Sequence, residues 1–433
     1  MEVQFLGGAD EIGRSAVLVD DSLLLDYGMA SESPPQYPVG SVDPDAVVVS
    51  HGHLDHAGAV PALMSSGELP PVHWTPPTRD LATTLAADTL KLHGSTPRCP
   101  FTQNDVRRLT QASVTHSYEE SFEAAGYEIT FYNAGHIPGS AHVLVDDSEV
   151  RRTSGNRTQS DGGDTRLLYT GDFHTGDQRL VAPSTARPDA DVVICESTYS
   201  DVSHEARETV EQRFAESVQQ TVWEGGTVVV PAFAIGRTQE AMLVCNAHDI
   251  DCYVDGMGQR VTKQLKRHPE FLRDADALRG ATSSARFVTG RDGQRKRIAE
   301  QNTVIITTSG MLSGGPAMTY VPAIRHHPTN KVALTGYQVE GTPGRSLLDT
   351  GSAELDGRVM PVSAQVELHE FSAHADRDGL LKFLESYRDT PILTVHGDRT
   401  AAFAEALRGE GFDAAAPTLG ERVAISSVAI ERE

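Results

Sequence analysis

The sequence predicts an α/β fold spread over two or three domains, and three observations carry that expectation. The first is length, since 433 residues exceed what a single hydrophobic core organises. The second is a first half made of short apolar runs that end at Gly or Asp, as strands joined by turns do. The third is a middle region where β-branched runs alternate with helical periodicity, a pattern best satisfied by a parallel sheet flanked by helices.

Taken in order, strands are expected at Val3–Leu6, Ala16–Val19 and Leu23–Leu25. Ala46-Val47-Val48-Val49-Ser50 reads as a buried strand that runs directly into a histidine cluster. Helices fit Pro77–Leu92 and Asn104–Leu109, the second with Asn104 as its cap. Further strands fit Glu128–Tyr132, His142–Val145, Arg166–Tyr169 and Asp191–Cys195. Between Asp146 and Asp164 a polar stretch without apolar period reads as an exposed hairpin loop, its Arg151 and Arg152 solvated rather than gripping a polyanion. Ser203–Trp223 and Gln239–Asn246 then read as helices, and Thr227–Pro231, Asp251–Val254, Val304–Thr308 and Val332–Thr335 as strands. After Gly344 short strands return, with a helix at Gly379–Tyr387 and a strand at Ile392–His396.

Composition narrows the function. No apolar stretch approaches the roughly 20 residues that span a bilayer, and the N-terminus shows no signal core, so a cytoplasmic protein without membrane association is expected. The four cysteines, Cys99, Cys195, Cys245 and Cys252, form no CxxC pair, which disfavours a disulfide framework or a thiolate zinc ribbon. The formal charge of −23 and the scarcity of lysine suit a salt-rich cytosol, where screening relieves self-repulsion.

The chemistry is concentrated in Ser50-His51-Gly52-His53-Leu54-Asp55-His56-Ala57-Gly58. Imidazoles and carboxylates are the ligands of catalytic zinc, which keeps one position open for water. Alternation lets His51 and His53 face one ion, while Asp55 and His56 turn toward a second. Four such side chains within six residues after a buried strand argue against a chance cluster. Three further segments repeat the layout of strand, ligand and glycine: His136 in Asn133–Ser140, Asp172 in Tyr169–Phe173, and His396 in Leu393–Asp398. Singly, each reads equally well as a turn or capping residue.

With these motifs in hand, the chain resembles the β-CASP ribonucleases of the metallo-β-lactamase superfamily, and within them the archaeal homologues of the cleavage and polyadenylation specificity factor endonuclease subunit. Gly7–Ser15 resembles the family's opening turn, and Asp26 its first motif. His51, His53, Asp55 and His56 match the second motif, His136 the third and Asp172 the fourth. Glu196, His374 and His396 match motifs A, B and C of the β-CASP branch, and Pro231–Glu240 and Thr308–Leu312 match further family segments.

The resemblance implies a four-layer αβ/βα metallo-β-lactamase domain, residues 1–200 and 360–433, with a parallel α/β β-CASP domain, residues 201–359, inserted in it. It implies two Zn2+, one held by His51, His53, His136 and Asp172, the other by Asp55, His56, His396 and the shared Asp172. Catalytic roles fall to Glu196, His374 and Asp55: His374 protonates the leaving 3′-oxygen and Glu196 orients its ring. Asp26 orients a histidine from behind or serves as a turn residue, and Arg237 and Ser309 hold substrate phosphate, unless Arg237 pairs with Glu240.

The implied reaction is zinc-dependent hydrolysis of RNA by a metal-activated hydroxide, giving 5′-phosphate and 3′-hydroxyl ends. The expected activity is an endonuclease of the mRNA 3′-end processing type. The alternatives are a 5′-3′ exoribonuclease of the RNase J type and a non-catalytic RNA-processing scaffold. Single-stranded RNA is the expected partner, with Lys263–His268 and Arg291–Arg297 as local candidates for backbone contacts; a homodimer and RNA-processing partner proteins complete the expectation. The remaining histidines, among them His73, His116, His142 and His369, are expected mostly at the surface or behind ligands.

Overall fold

The computed structural model describes all residues except 31–33, 66, 95, 97–98, 148–164, 292, 427–428 and 433. The polar stretch with Arg151 and Arg152 therefore lies almost wholly outside the described residues. Among the described residues no helix is long and apolar enough to cross a membrane. The chain divides into two compact units: Met1–Gly176, Pro183–Ser203 and His374–Glu433 form the first, and Asp177–Ala182 with His204–Ala373 the second.

The first unit is built on two sheets. One has eight strands in the order 429–432, 422–426, 2–7, 16–19, 23–25, 46–48, 72–74 and 113–115. The other has seven, in the order 414–415, 392–395, 192–196, 166–169, 141–146, 127–133 and 121–124. Their inner faces share one core in which Val3, Phe5, Leu25 and Val48 meet Phe131, Val143, Leu167 and Ile194. Helices cover the outer faces. Trp74, Val47 and Leu24 pack with Ala82 and Leu109 of the helices Pro76–His93 and Gln103–Ala112 on one side. Leu168, Val193 and Ile392 pack with Leu380, Phe383, Phe403 and Leu407 on the other. These are the four αβ/βα layers that the resemblance implies. Parallel strands that are apolar on both faces, such as Val192–Glu196 and Ile392–Val395, are buried throughout because each face is covered.

The second unit carries a six-stranded sheet in the order 286–287, 252–255, 304–307, 228–231, 331–334 and 365–368, with every pairing parallel. Val229, Ile305, Val332 and Leu334 form its core with Tyr320, Val321, Ile324 and Leu347 from helices.

Three local differences from the sequence reading have plain causes. The helix expected from Asn104 starts at Gln103, because Thr102 caps it: its hydroxyl accepts the Asp105 N–H while Asp105 accepts the Thr102 N–H at 2.7 Å. The return to the first unit comes at His374 rather than near 360, because Gln365–Leu368 pairs with Lys331–Leu334 in the second unit's sheet. His73, His116, His142 and His369, expected mostly at the surface or behind ligands, are buried. His142, for example, is held between Thr170 O at 2.8 Å and Ser184 Oγ at 2.7 Å. The cysteines are free thiols, with Cys195, Cys245 and Cys252 buried and Cys99 half-buried.

Candidate metal centre

The first unit gathers its donors at strand ends. Ala46–Val48 delivers the His51–His56 segment, whose last three residues begin the short helix Leu54–Ala57. Tyr127–Asn133 delivers His136, Arg166–Tyr169 delivers Asp172, and Ile392–Val395 delivers His396. The backbone of His396 takes a left-handed conformation (φ 50°), unusual for a side chain with a Cβ. The opening loop holds it there: His396 N–H donates to Gly8 O at 2.6 Å, and the next residue, Gly397, donates to Glu11 O at 3.1 Å. The Gly7–Ser15 motif thus forms the support under the last ligand of the set.

Two groups of donor atoms result, each with all members within 4.8 Å of one another: His51, His53, His136 and Asp172, and Asp55, His56, Asp172 and His396. In the first group His53 Nδ1 lies 3.2 Å from His51 Nε2 and 3.0 Å from His136 Nε2, and His51 Nε2 lies 3.5 Å from Asp172 Oδ2. Two ligands of a tetrahedral zinc, each at the usual zinc–nitrogen distance, stand roughly 3.3 Å apart. The spacing therefore fits a cation among these atoms. In the second group Asp172 Oδ1 faces His56 Nε2 at 3.2 Å and His396 Nε2 at 3.5 Å, and Asp55 Oδ2 lies 3.7 Å from His396 Nε2. Asp172 Oδ1 is buried with no hydrogen-bond partner among the described residues, an expensive arrangement unless a cation completes it.

Electrostatics agree with the geometry. Burial pulls His51 well below the ordinary imidazole range and His53 down to about 4, which leaves both neutral with a lone pair to give. Burial also pulls on His56, but the Asp172 and Asp26 carboxylates outweigh it and hold that imidazole well above its usual value. Burial pushes Asp172 up, yet the imidazoles of His396, His56, His51 and His374 together keep it well below the carboxylate range. Asp172 thus stands ionised among imidazoles, with Oδ2 toward His51 and Oδ1 toward His56 and His396.

The residues behind the donors set their orientation. Asp26 is fully buried and contacts His56 Nδ1 at 2.7 Å, so it is not itself in either donor group. It also accepts the Ser50 N–H and O–H, both at 2.7 Å, and the Tyr169 O–H at 2.8 Å. Ser15 Oγ lies 2.8 Å from His396 Nδ1 and plays the same part there. A carboxylate or hydroxyl on one ring nitrogen fixes the tautomer and frees the other for the ion. Ser15, Ser50 and Tyr169 were not legible as site residues. The one available signal was position: Ser50 directly precedes His51, and Ser15 closes the opening glycine-rich turn.

Glu196 and His374 stand beside Asp172. His374 Nδ1 is 3.2 Å from both Glu196 carboxylate oxygens, and its Nε2 is 4.0 Å from Asp172 Oδ2. Glu196 is anchored by the N–H groups of Phe173 at 2.8 Å and Thr198 at 3.3 Å. The arrangement leaves Nε2 of His374 facing the donor groups.

Arg237 and Ser309 belong to the second unit. Arg237 opens the helix Arg237–Ala247, and Ser309 follows the strand Val304–Thr307 with its hydroxyl accepting the Ser313 N–H at 3.0 Å. Glu240, one turn beyond Arg237, is buried and accepts from Arg207 Nη2 at 2.6 Å.

Comparison with known proteins covers most of the chain. Family models match residues 10–148 as Metallo-beta-lactamase superfamily, 238–347 as Beta-Casp domain, and 359–417 as Zn-dependent metallo-hydrolase RNA specificity domain. A Methanocaldococcus jannaschii protein named Probable RNase MJ4 is 32% identical over 444 residues, covering 98% of this chain and all of that protein. The Saccharolobus solfataricus protein named RNase aCSPSF2 is 34% identical over 98% of this chain and 85% of its own length. Among solved structures, a protein of unknown function from Enterococcus faecalis superposes over 98% of this chain with a TM-score of 0.62 at 12% identity, a likeness of fold alone.

Proposed function

We propose that this chain, which belongs to the β-CASP family of the metallo-β-lactamase superfamily, is a metal-dependent ribonuclease that cuts within single-stranded RNA and leaves 5′-phosphate and 3′-hydroxyl ends. The observation that carries the reading is the pair of donor groups sharing Asp172 with the Glu196–His374 pair at its side. The metal complement we assign is two zinc ions, one in each group. When bound, they bring the pKa of a water molecule toward neutrality and offset charge developing on the phosphoryl oxygens.

The chain's own residues supply the rest. Asp26 and Ser15 hold His56 and His396 in the orientation that presents Nε2. Glu196 accepts from His374 Nδ1 and favours the cationic ring, so that Nε2–H is the proton available to a leaving 3′-oxygen. Proton transfer leaves a neutral imidazole and a 3′-hydroxyl, and the next turnover begins when His374 is reprotonated from solvent, which its 17% side-chain exposure permits. Asp55 keeps 30% of its side chain exposed to solvent. Two relatives at about one-third identity carry ribonuclease names, which supports RNA as the substrate class.

The test is cleavage of a circular RNA by the zinc-loaded protein, with product ends mapped. An endonuclease linearises the circle and leaves a 5′-phosphate. Degradation restricted to strands with a free 5′ end would replace this reading by a 5′-3′ exonuclease, and no cleavage of any RNA by fully loaded protein would end the ribonuclease reading.

A further inference from the structure

Asp172, Phe173 and His174 follow one another just after the strand Arg166–Tyr169, and each reaches the site in a different way. Asp172 is the carboxylate common to both donor groups. Phe173 donates its N–H to Glu196 Oε1 at 2.8 Å, and its carbonyl accepts the Ala375 N–H at 2.7 Å. The His174 side chain places Nδ1 2.9 Å from the backbone oxygen of His374. A carbonyl can only accept, so Nδ1 of His174 carries the proton and the contact itself sets the tautomer. The shared carboxylate, the partner of the His374 ring and the backbone of His374 are thus all referred to one short stretch of chain.

That stretch is fixed in its turn. His174 N–H donates to Ala134 O at 2.9 Å, and His174 O accepts the Ser184 N–H at 2.8 Å. A Cβ on Gly135 would stand 2.5 Å from His174 O, so the loop that carries His136 passes directly against it. Phe173 and Ala375 are buried together with Ala134, Leu380 and Phe383. His374 needs such a reference, because it is the first residue of this unit after the chain returns from the other, and its place depends on contacts made at and after it. Downstream, Asp376 caps the helix Arg377–Leu384 by accepting the Gly379 N–H at 2.9 Å. Glu196 holds the His374 ring by one nitrogen only, so the ring follows wherever its own backbone moves. The hydrogen bond from His174 to the carbonyl removes that freedom.

We infer that His174, which belongs to neither donor group, is a positioning residue for His374: its Nδ1–H holds the backbone from which Nε2 of the acid is presented. The inference rests on the ribonuclease reading with His374 as the proton donor, and adds to it the residue that sets where the donor stands. Misplacing a reacting group by about 1 Å costs on the order of 100-fold in rate, so loss of this tether should lower kcat about 10- to 100-fold with little change in KM.

The experiment compares His174→Leu, which keeps bulk without a donor, and His174→Asn, whose amide N–H takes the place of Nδ1–H, in zinc-loaded protein of measured zinc content. Each cuts two RNAs: an ordinary strand, and the same strand with sulfur replacing the bridging 3′-oxygen at the cut site. A thiol is far more acidic than a sugar hydroxyl, so a 3′-thiolate leaves without a proton and bypasses the acid. On the ordinary strand the leucine variant should show the loss in kcat with wild-type zinc content, and the asparagine variant should recover most of it. On the sulfur strand the ratio of wild type to leucine variant should return toward one. His174→Ala makes the same comparison if leucine proves too bulky to fold. An undiminished deficit on the sulfur strand, a donor-free variant as active as the wild type, or a loss that asparagine does not recover overturns the positioning role. His374→Ala is the reference that separates the two readings. If its deficit vanishes on the sulfur strand while that of His174→Leu persists, only this inference fails; if its own deficit persists, His374 is not the acid and the inference falls with that assignment.

Discussion

Replacing Asp26 by Asn probes how the site is oriented from behind, and the consequence can be worked out atom by atom. Asp26 Oδ1 accepts the Ser50 N–H, so the amide oxygen of an asparagine must stay there, and its NH2 takes the place of Oδ2. At that point stand three donors: Ser50 Oγ, Tyr169 O–H and His56 Nδ1. The two hydroxyls can rotate and accept instead. His56 can do so only by moving its proton from Nδ1 to Nε2, the nitrogen that faces Asp172 Oδ1 at 3.2 Å and has to carry the lone pair for a cation. Asp26→Asn should therefore weaken metal binding about 10- to 100-fold, the usual cost of losing a partner behind a ligand histidine. Loss of the charge-assisted bonds should lower stability by about 2 kcal/mol. Zinc competition against a chromophoric chelator reads the first effect and urea unfolding of the metal-free protein the second. Tyr169→Phe is the control, because it removes one hydroxyl without touching the tautomer and should cost about 1 kcal/mol with little change in zinc affinity. An Asp26→Asn protein that holds zinc as tightly as the wild type would refute the tautomer argument.

Other consequences can be checked in the same preparations. Ser15→Ala removes the hydroxyl 2.8 Å from His396 Nδ1, and should cost about 10-fold in affinity for the zinc of the His396 group, read by chelator titration. His374→Ala should lower kcat about 100- to 10,000-fold while both zinc ions remain bound, as measured by metal analysis. Glu196→Gln should give a smaller loss and move the alkaline limb of the rate profile to lower pH, because the imidazolium loses its counter-charge. His142 is buried neutral, its pKa pushed down to about 3 by burial, against 6.5 in the unfolded chain. Below 6.5 only the unfolded state takes up this proton, so the contribution is complete above that pH and shrinks as pH falls toward 3. Between pH 7 and 5 the loss amounts to at most about 2 kcal/mol, and urea midpoints of wild type and His142→Gln should converge as pH falls over that range.

The site was legible wherever ligation is written locally. A buried strand running into His51, His53, Asp55 and His56 announces both its chemistry and its placement, because a strand can only deliver such residues at a sheet edge. His136, Asp172 and His396 share that layout, and once the motif order suggested the family, their convergence followed. What the sequence could not reveal is what lies far apart along the chain. Ser15 meets His396 across 381 residues and Tyr169 meets Asp26 across 143, contacts that no local pattern encodes. Thr102 rather than Asn104 is the cap because Asp105 sits three residues after it, a pairing visible in the sequence. The late return to the first unit has a similar cause. Gln365–Leu368 is short and partly polar, and only its pairing with Lys331–Leu334 shows which sheet it extends. The burial of His73 and His142 has no local signature, because their polar nitrogens are satisfied by distant partners, His116 at 2.9 Å and Thr170 O at 2.8 Å.

The claim on which the rest depends is that two metal ions share Asp172. Anomalous diffraction at the zinc edge from crystals of the zinc-loaded protein tests it directly. The account predicts two peaks, one among His51, His53 and His136 and one among Asp55, His56 and His396, each bonded to a different oxygen of Asp172. A single peak, or two peaks of which one lies away from Asp172, would contradict it.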